Sequence, residues 1–181
     1  DDVLAELASN LGINVYRGSE DNVLERFIEA GENAEIDVVI RVCADNPFIN
    51  IELLESLIEK YQDEDYCSFK YQNGKPTILG HLGLFCEIVK LEALKKVKTL
   101  TQDKLYLEHV TNYIYSNPNL FNISLHELPD GLIGFDNIRM TVDTKFDFET
   151  VSKLYSKYHN HRSIEELKTM LNDIKSNNVL L

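Results

Sequence analysis

Two aliphatic stretches of this chain each end in an aspartate. Val38-Val39-Ile40-Arg41-Val42-Cys43-Ala44 leads to Asp45-Asn46-Pro47, and Ile138-Arg139-Met140-Thr141-Val142 leads to Asp143-Thr144. Each run reads as a strand whose carboxylate stands at the carboxyl edge of a sheet, where α/β proteins build their ligand crevices. If the sheet brings both edges together, Asp45 and Asp143 form a hard oxygen site suited to Mg²⁺ and a phosphate. The plainer reading stays open beside it. An aspartate before Asn-Pro serves turn chemistry, and Asp143 could simply flank the cap of the next helix, where the macrodipole favours negative charge.

Other charged residues stand where charge needs a reason. Arg41 lies inside an apolar strand, so it needs a carboxylate or phosphate partner, and a structural pair with a buried acid is as good a reading as substrate contact. Glu87 sits in Phe85-Cys86-Glu87-Ile88-Val89, where strand alternation could turn it to solvent. Arg17 and Arg26 flank a Gly18-Ser19 loop and a helix start, a place where backbone amides hold anions. Ser19 reads as that helix's N-cap. Glu108 and His109 fall on a helix with Val110 and Ile114, and a lone histidine there serves as a hydrogen-bonded structural residue or as a base. His81, His126, His159 and His161 show no ligand spacing.

These residues need a scaffold, and the pattern supplies one. Val3 to Leu11 is helical in spacing and stops at Gly12. Ile13 to Tyr16 reads as a short strand, followed by a helix with Val23, Leu24, Phe27 and Ile28 on one face. Val38 to Val42 is β-branched and continuous, the mark of a strand covered on both faces. Asn50 caps a helix carrying Leu53, Leu54, Leu57 and Ile58. Tyr66 to Tyr71 and Leu82 to Val89 read as strands around a Gln72–Pro76 turn. Leu91 to Val97 and Thr101 to Tyr115 read as helices, the second ending before Asn117-Pro118. Ile123 to Leu128 and Arg139 to Val142 read as strands. Thr144 with Asp147, and Ser163 with Glu166, have capping-box spacing ahead of the last two helices, the second of which fades into Ser176-Asn177-Asn178. The β-α-β-α alternation predicts an α/β domain with a mainly parallel sheet.

At 181 residues, with 44% hydrophobic residues, the chain is expected to be one domain spanning 1–181 with one core. A net charge of −12 argues against nucleic acid or an anionic membrane as partner, since both need clustered basic residues. No apolar run approaches a membrane span, and the start is not a basic signal sequence. The chain therefore reads as soluble, intracellular and cytoplasmic. Cys43, Cys67 and Cys86 lie in apolar runs and read as buried free thiols.

Five segments, in order, resemble the cytidylyltransferases of the spore-coat polysaccharide SpsF type, relatives of the CMP-sugar-acid synthetases. They are Arg17-Gly18-Ser19 through Phe27, Ile40-Arg41 with Asp45-Asn46-Pro47, Gly83 through Ile88, Glu108-His109-Val110-Thr111-Asn112-Tyr113, and Thr141-Val142-Asp143. The resemblance implies a three-layer mixed sheet with helices on both faces, the GT-A or Rossmann-like nucleotidyltransferase fold. It implies a transfer of CMP from CTP to a sugar acid or amino sugar, with pyrophosphate released, for surface polysaccharide assembly. It makes Asp45 and Asp143 the Mg²⁺ ligands, and Arg17, Ser19, Arg26 and Arg41 the nucleotide side. Glu87, Glu108 and His109 become acceptor contacts, although Leu107 stands where the family usually has a basic residue. A homodimer is also implied. The family's opening strand and its triphosphate-holding Gly, Arg and Lys loop have no match. Two βα units, at about thirty residues for a βαβ element, would fit that difference, so the chain is expected to be an N-terminally truncated domain. A GT-A-like glycosyltransferase and a non-catalytic truncated module are the alternatives.

Overall fold

A computed structural model describes residues 1–159 and 163–177. His161 and Asn178 lie outside the described residues. Four strands form one sheet in the order β1 (Val38–Arg41), β3 (Glu87–Lys90), β2 (Tyr66–Lys70), β4 (Ile123–Glu127). β3 is antiparallel to β1 and to β2, whereas β2 and β4 are parallel. β1, β2 and β4 therefore run the same way and β3 alone is reversed. The sheet is mixed, as the resemblance implies, and three of its four strands share one direction as the alternation predicts, although the reversed β3 makes two of the three ladders antiparallel.

Alternate residues of the strands feed two cores. Cys67, Phe69 and Ile88 pack with Leu53 and Leu57 of α3 (Ile51–Lys60), Val151 and Leu154 of α7 (Lys145–Tyr158), and α8 (Ile164–Ser176). Tyr66 and Val89 pack on the other face with Leu24 and Ile28 of α2 (Val23–Asn33), with α4 (Leu91–Leu100), and with Val110 and Ile114. The result is three layers with helices on both faces. α1 (Asp2–Asn10) ends before Gly12 at φ +70° and has no buried residue.

Three caps form as their spacing predicts. The Asn50 side chain accepts from Leu53 N, and Thr144–Asp147 and Ser163–Glu166 are complete capping boxes. Ser19 is not an N-cap. Asn22 caps α2 by accepting from Glu25 N, and Ser19 Oγ accepts from Asn22 N one step earlier.

Several predicted elements differ. The helix over Thr101–Tyr115 is broken into α5 (Lys104–Glu108) and α6 (Asn112–Ser116). His109 leaves helical geometry at φ −95°, ψ 76°, and Thr111 spends its hydroxyl on a tertiary hydrogen bond. Ile13–Tyr16 is not a strand, because no described strand lies beside it to complete a ladder. Of the Leu82–Val89 run only 87–89 pairs in the sheet, as the start of β3. Arg139–Val142 is irregular, with Met140 and Thr141 buried and Arg139 and Val142 partly so, and the amides of 140–142 are bonded to loop carbonyls instead of to a strand. Cys67 and Cys86 are buried free thiols, whereas Cys43 is only partly covered. Among the described residues no helix is long and apolar enough to cross a membrane.

Candidate active site

Three irregular segments converge at the carboxyl end of β1. The first is the turn 43–46, closed by Asn46 N donating to Cys43 O. The second is 77–86, which begins with a 3-10 turn at Thr77–Leu79. The third is 138–143, just before α7. Met140 N and Thr141 N both donate to His81 O, at 2.8 and 3.2 Å, and Val142 N donates to Asp45 O at 2.9 Å. Gly83 sits at their junction with φ +68°, and a Cβ there would lie 3.3 Å from Asn46 Oδ1 and 3.4 Å from Thr141 Cγ2. A side chain at Gly83 would be strained by conformation and crowded by both neighbours.

This junction brings Asp45 and Asp143 to the wall of one cavity of about 160 Å³, together with Thr77 and His81. β1 does deliver Asp45 at its edge. Asp143, however, is placed by the loop hydrogen bond of its neighbour Val142, not by a second strand. Their carboxylates are in different states. Asp45 Oδ1 is buried and has no partner, as is Thr77 Oγ1 on the same wall. Asp143 Oδ2 accepts from Arg139 Nη2 and from Thr141 Oγ1. Arg139 also donates from Nε to Asp147 Oδ1 at 3.2 Å. Arg139, with the Thr144 hydroxyl and amide, holds the Asp147 carboxyl down at about 2.

Among the described residues no group of three or more His, Cys, Asp and Glu side chains could enclose a metal. Two carboxylates nevertheless suit Mg²⁺, which takes one or two from protein and completes its shell with water and substrate phosphate. An unpartnered buried carboxylate oxygen is the kind of acceptor that a cation or a donor from a ligand would satisfy.

A second cavity of about 360 Å³ shares Cys43, Asp45, Ile78 and Leu79 with the first, and adds Arg41, His109 and Asn112. Behind it lies Glu87, only 1% exposed. Arg41 Nη1 donates to Glu87 Oε2 at 2.5 Å, and Tyr66 Oη and Thr111 Oγ1 donate to Oε1, the latter at 3.0 Å. The acid that Arg41 requires is thus its cross-strand neighbour. Burial works to lower the Arg41 pKa, but the Glu87 charge and hydrogen bond, together with the Cys43 and Tyr66 groups nearby, outweigh it and the net shift is upward. Burial, and then the Glu87 charge, push the Tyr66 phenol well above its ordinary value. Tyr66, Thr77 and Thr111 are site residues that sequence reasoning does not single out. Thr111 stands inside the Glu-His-Val-Thr motif, which was the available signal, whereas Thr77 has none.

The remaining candidates lie apart. Arg17 and Arg26 line a third cavity of about 480 Å³, which shares no lining residue with the other two. Arg17 pairs with Asp2 at 2.6 Å, and Arg26 Nη1 donates to Ser19 O at 3.2 Å. The structure therefore separates Arg17, Ser19 and Arg26 from Asp45. Glu108 is exposed at the end of α5, one residue before His109.

Comparison with known proteins gives consistent results. A family model described as cytidylyltransferase matches residues 1–178. The chain is 40% identical over 161 residues to an uncharacterized protein of Methanocaldococcus jannaschii, an alignment covering 89% of this chain and 62% of that protein. It is 34% identical over 175 residues to the spore coat polysaccharide biosynthesis protein SpsF of Bacillus subtilis, covering 95% of this chain and 70% of that protein. The chain thus spans less than two thirds of the length of the first relative. In fold it is similar to the structure of a cytidylyltransferase from Leptospira borgpetersenii serovar Hardjo-bovis, with a TM-score of 0.79 and 24% identity over 99% of this chain and 74% of that one.

Proposed function

Because this chain belongs to the cytidylyltransferase family, we propose that it activates a sugar acid or amino sugar with CTP, for the assembly of a surface polysaccharide. The acceptor hydroxyl attacks the α-phosphorus of CTP. An oxygen–phosphorus bond forms to the sugar, the bond to the β-phosphate bridge breaks, pyrophosphate leaves, and the hydroxyl proton passes to solvent or a nearby base. No covalent intermediate with the protein is needed.

The observation that carries this reading is the meeting of Asp45 and Asp143 on one cavity, with Asp45 Oδ1 buried and unpartnered. The same two residues would hold Mg²⁺, which supplies charge neutralisation for the triphosphate when bound. Asp45 is held by the turn that ends β1 and by the Val142 amide on its carbonyl. Its backbone is thereby fixed before any ligand arrives, and preorganisation of this kind is where an electrostatic contribution to phosphoryl transfer gains its strength. Arg41 and His109, on the adjoining cavity, stand where they can meet substrate on the other side of Asp45. The named polysaccharide role of the Bacillus relative supports the kind of product, and the sugar's identity is left to the acceptor assay.

The test is calorimetric CTP binding with and without Mg²⁺, followed by pyrophosphate release across a panel of sugar acids and amino sugars. Mg²⁺-dependent binding that is lost in Asp45→Asn, with pyrophosphate released by one sugar class, is the expected result. Turnover of a ready-made nucleotide sugar without pyrophosphate would instead make the chain a glycosyltransferase. Equal CTP binding by wild type and Asp45→Asn would remove the metal role.

A further inference from the structure

Glu87 stands in the cavity wall beside Asp45, yet its acceptor capacity is already in use. An ionised carboxylate offers about four lone-pair sites. Tyr66 Oη and Thr111 Oγ1 donate to Oε1, Arg41 Nη1 donates to Oε2, and the Thr111 hydroxyl also lies 3.3 Å from Oε2. With 1% exposure and three donors already bound, Glu87 has no free surface to meet a sugar.

Glu87 and its three partners come from four places. Arg41 is on β1, Tyr66 on β2, Glu87 on β3, and Thr111 is in the break between α5 and α6. A semi-buried ion pair seldom adds net stability over a well-packed apolar pair, because desolvation consumes the Coulomb gain. The arrangement makes sense if it holds the arginine for another purpose. Guanidinium carries five N–H donors in a rigid fork. One is spent on Glu87, and a further contact reaches the Cys43 thiol. The Arg41 side chain is 16% exposed and lines the cavity that His109 and Asn112 also line. A fixed guanidinium beside an imidazole and a carboxamide is suited to an oxyanion. The cavity shares Asp45 with its acidic neighbour, so an anion here would lie next to the reacting centre.

We propose that Glu87 is a positioning residue, which clamps Arg41 so that its remaining N–H donors bind a substrate oxyanion, phosphate or carboxylate, in the cavity shared with His109 and Asn112. The inference rests on the cytidylyltransferase reading for what the anion belongs to. Glu87 then acts on substrate only through Arg41, and Thr111 links the α5–α6 break to the same clamp.

A double-mutant cycle on the full chain tests this. Mg²⁺ with CTP, pyrophosphate alone, and N-acetylneuraminate as a carboxylated sugar are titrated calorimetrically into wild type, Arg41→Met, Glu87→Gln and the double variant. Each single change is expected to weaken at least one probe about tenfold, and the double variant to bind no more weakly than Arg41→Met alone. Weakening of CTP and pyrophosphate assigns the oxyanion to the nucleotide, and weakening of the sugar acid alone assigns it to the acceptor. Arg41→Lys keeps the charge but loses the fork, so it provides a folded comparison and is expected to lose binding as well. Wild-type affinity in Glu87→Gln or in Arg41→Lys, or additive losses in the double variant, would overturn the proposal. Wild-type protein that binds pyrophosphate or the sugar acid but not CTP would sink the functional reading alone. Wild-type protein that binds none of the three would sink both.

Discussion

Glu87 and Asp45 line the same cavity, and the two carboxylates differ in kind. Glu87 is more deeply buried, and both of its oxygens accept hydrogen bonds, from Arg41, Tyr66 and Thr111. Asp45 is less buried, carries an unpartnered oxygen, and sits on a turn whose backbone is pinned from outside by Val142. Burial alone would rank Glu87 as the more unusual group and the better functional candidate. Counting donors reverses the order: a filled carboxylate ties the fold together, and one with an empty acceptor is open to a ligand.

The comparison breaks first at its filled side. Glu87→Ala leaves Arg41 half-buried without its counterion and two hydroxyls without an acceptor, and it should cost about 3–5 kcal/mol of folding free energy. Urea denaturation measures it, and a loss under 1 kcal/mol would mean that Glu87 does not tie the strands together. Asp45→Asn should show the opposite profile. It removes charge from an oxygen with no protein partner, so folding should stay within about 1 kcal/mol, while turnover should fall on the order of a hundredfold, about 2.7 kcal/mol of barrier. A variant that unfolds but turns over normally when folded would exchange the roles assigned to the two residues.

The filled side was partly legible in the sequence. An arginine inside Val38–Val42 demands a buried acid, and Glu87, in another apolar run, is that acid across the β1–β3 ladder. The caps at Asn50, Thr144 and Ser163 were legible because each depends on residues three apart in the chain. The open side was harder. Ile138 to Val142 reads as a strand because Ile138 and Met140 are fully buried. An alternating pattern reports burial, however, and here the amides find loop carbonyls at His81 and Asp45 instead of a ladder. The unpartnered Thr77 hydroxyl could not be foreseen, since an absent hydrogen bond leaves no mark on the chain. Arg17 and Arg26 look like companions of Asp45 along a family motif, yet they line a cavity of their own.

A pH series gives an effect of intermediate size, because buried thiols and phenols hold their protons in the folded interior. Burial pushes the Cys67 thiol to about 12 and the Cys86 thiol to about 11, from an ordinary 9.0. Burial first, and then the Glu87 charge, raise the Tyr115 phenol to about 12, and the same two causes raise the Tyr66 phenol well above its ordinary value. These groups keep their protons when folded and release them at lower pH when unfolded. Their stabilisation is therefore full below about pH 9 and is lost as pH rises toward about 12. Each proton held adds a slope of about 1.4 kcal/mol per pH unit in that window. Urea midpoints should thus fall progressively from pH 9 upward, and a flat profile to pH 11 would show that the thiols and phenols ionise where they stand.

Smaller effects belong to the open side, where the Asp143 carboxylate, proposed to meet Mg²⁺, is supported without being enclosed. Thr144→Ala removes the hydroxyl that accepts from Asp147 N and donates to Asp147 Oδ2. Loss of a capping threonine should cost about 1 kcal/mol. Because Asp147 Oδ2 also accepts from Asp143 N, the same change should loosen Asp143 and weaken Mg²⁺ binding more than it weakens folding. Equal stability in Thr144→Ala and wild type, measured by urea denaturation, would show that the cap has no such hold.

The Arg139 pair gives the smallest and most discriminating case. Arg139 and Asp143 are 36% and 47% exposed as side chains, so solvent screens their attraction and Arg139→Gln should shift stability by no more than about 1 kcal/mol. Arg139 nevertheless occupies the carboxylate that a metal would use. Removing it should tighten Mg²⁺ binding severalfold if Asp143 is open to a cation once the guanidinium leaves. It should weaken binding if Arg139 instead aims Asp143 at the cavity. Calorimetry with Mg²⁺ alone, where no substrate affinity enters, distinguishes competition from orientation by the sign of the change. Either sign assigns Asp143 to the open side, while an unchanged affinity would leave Asp45 as the sole protein carboxylate on the metal and dissolve the pair on which the comparison was built.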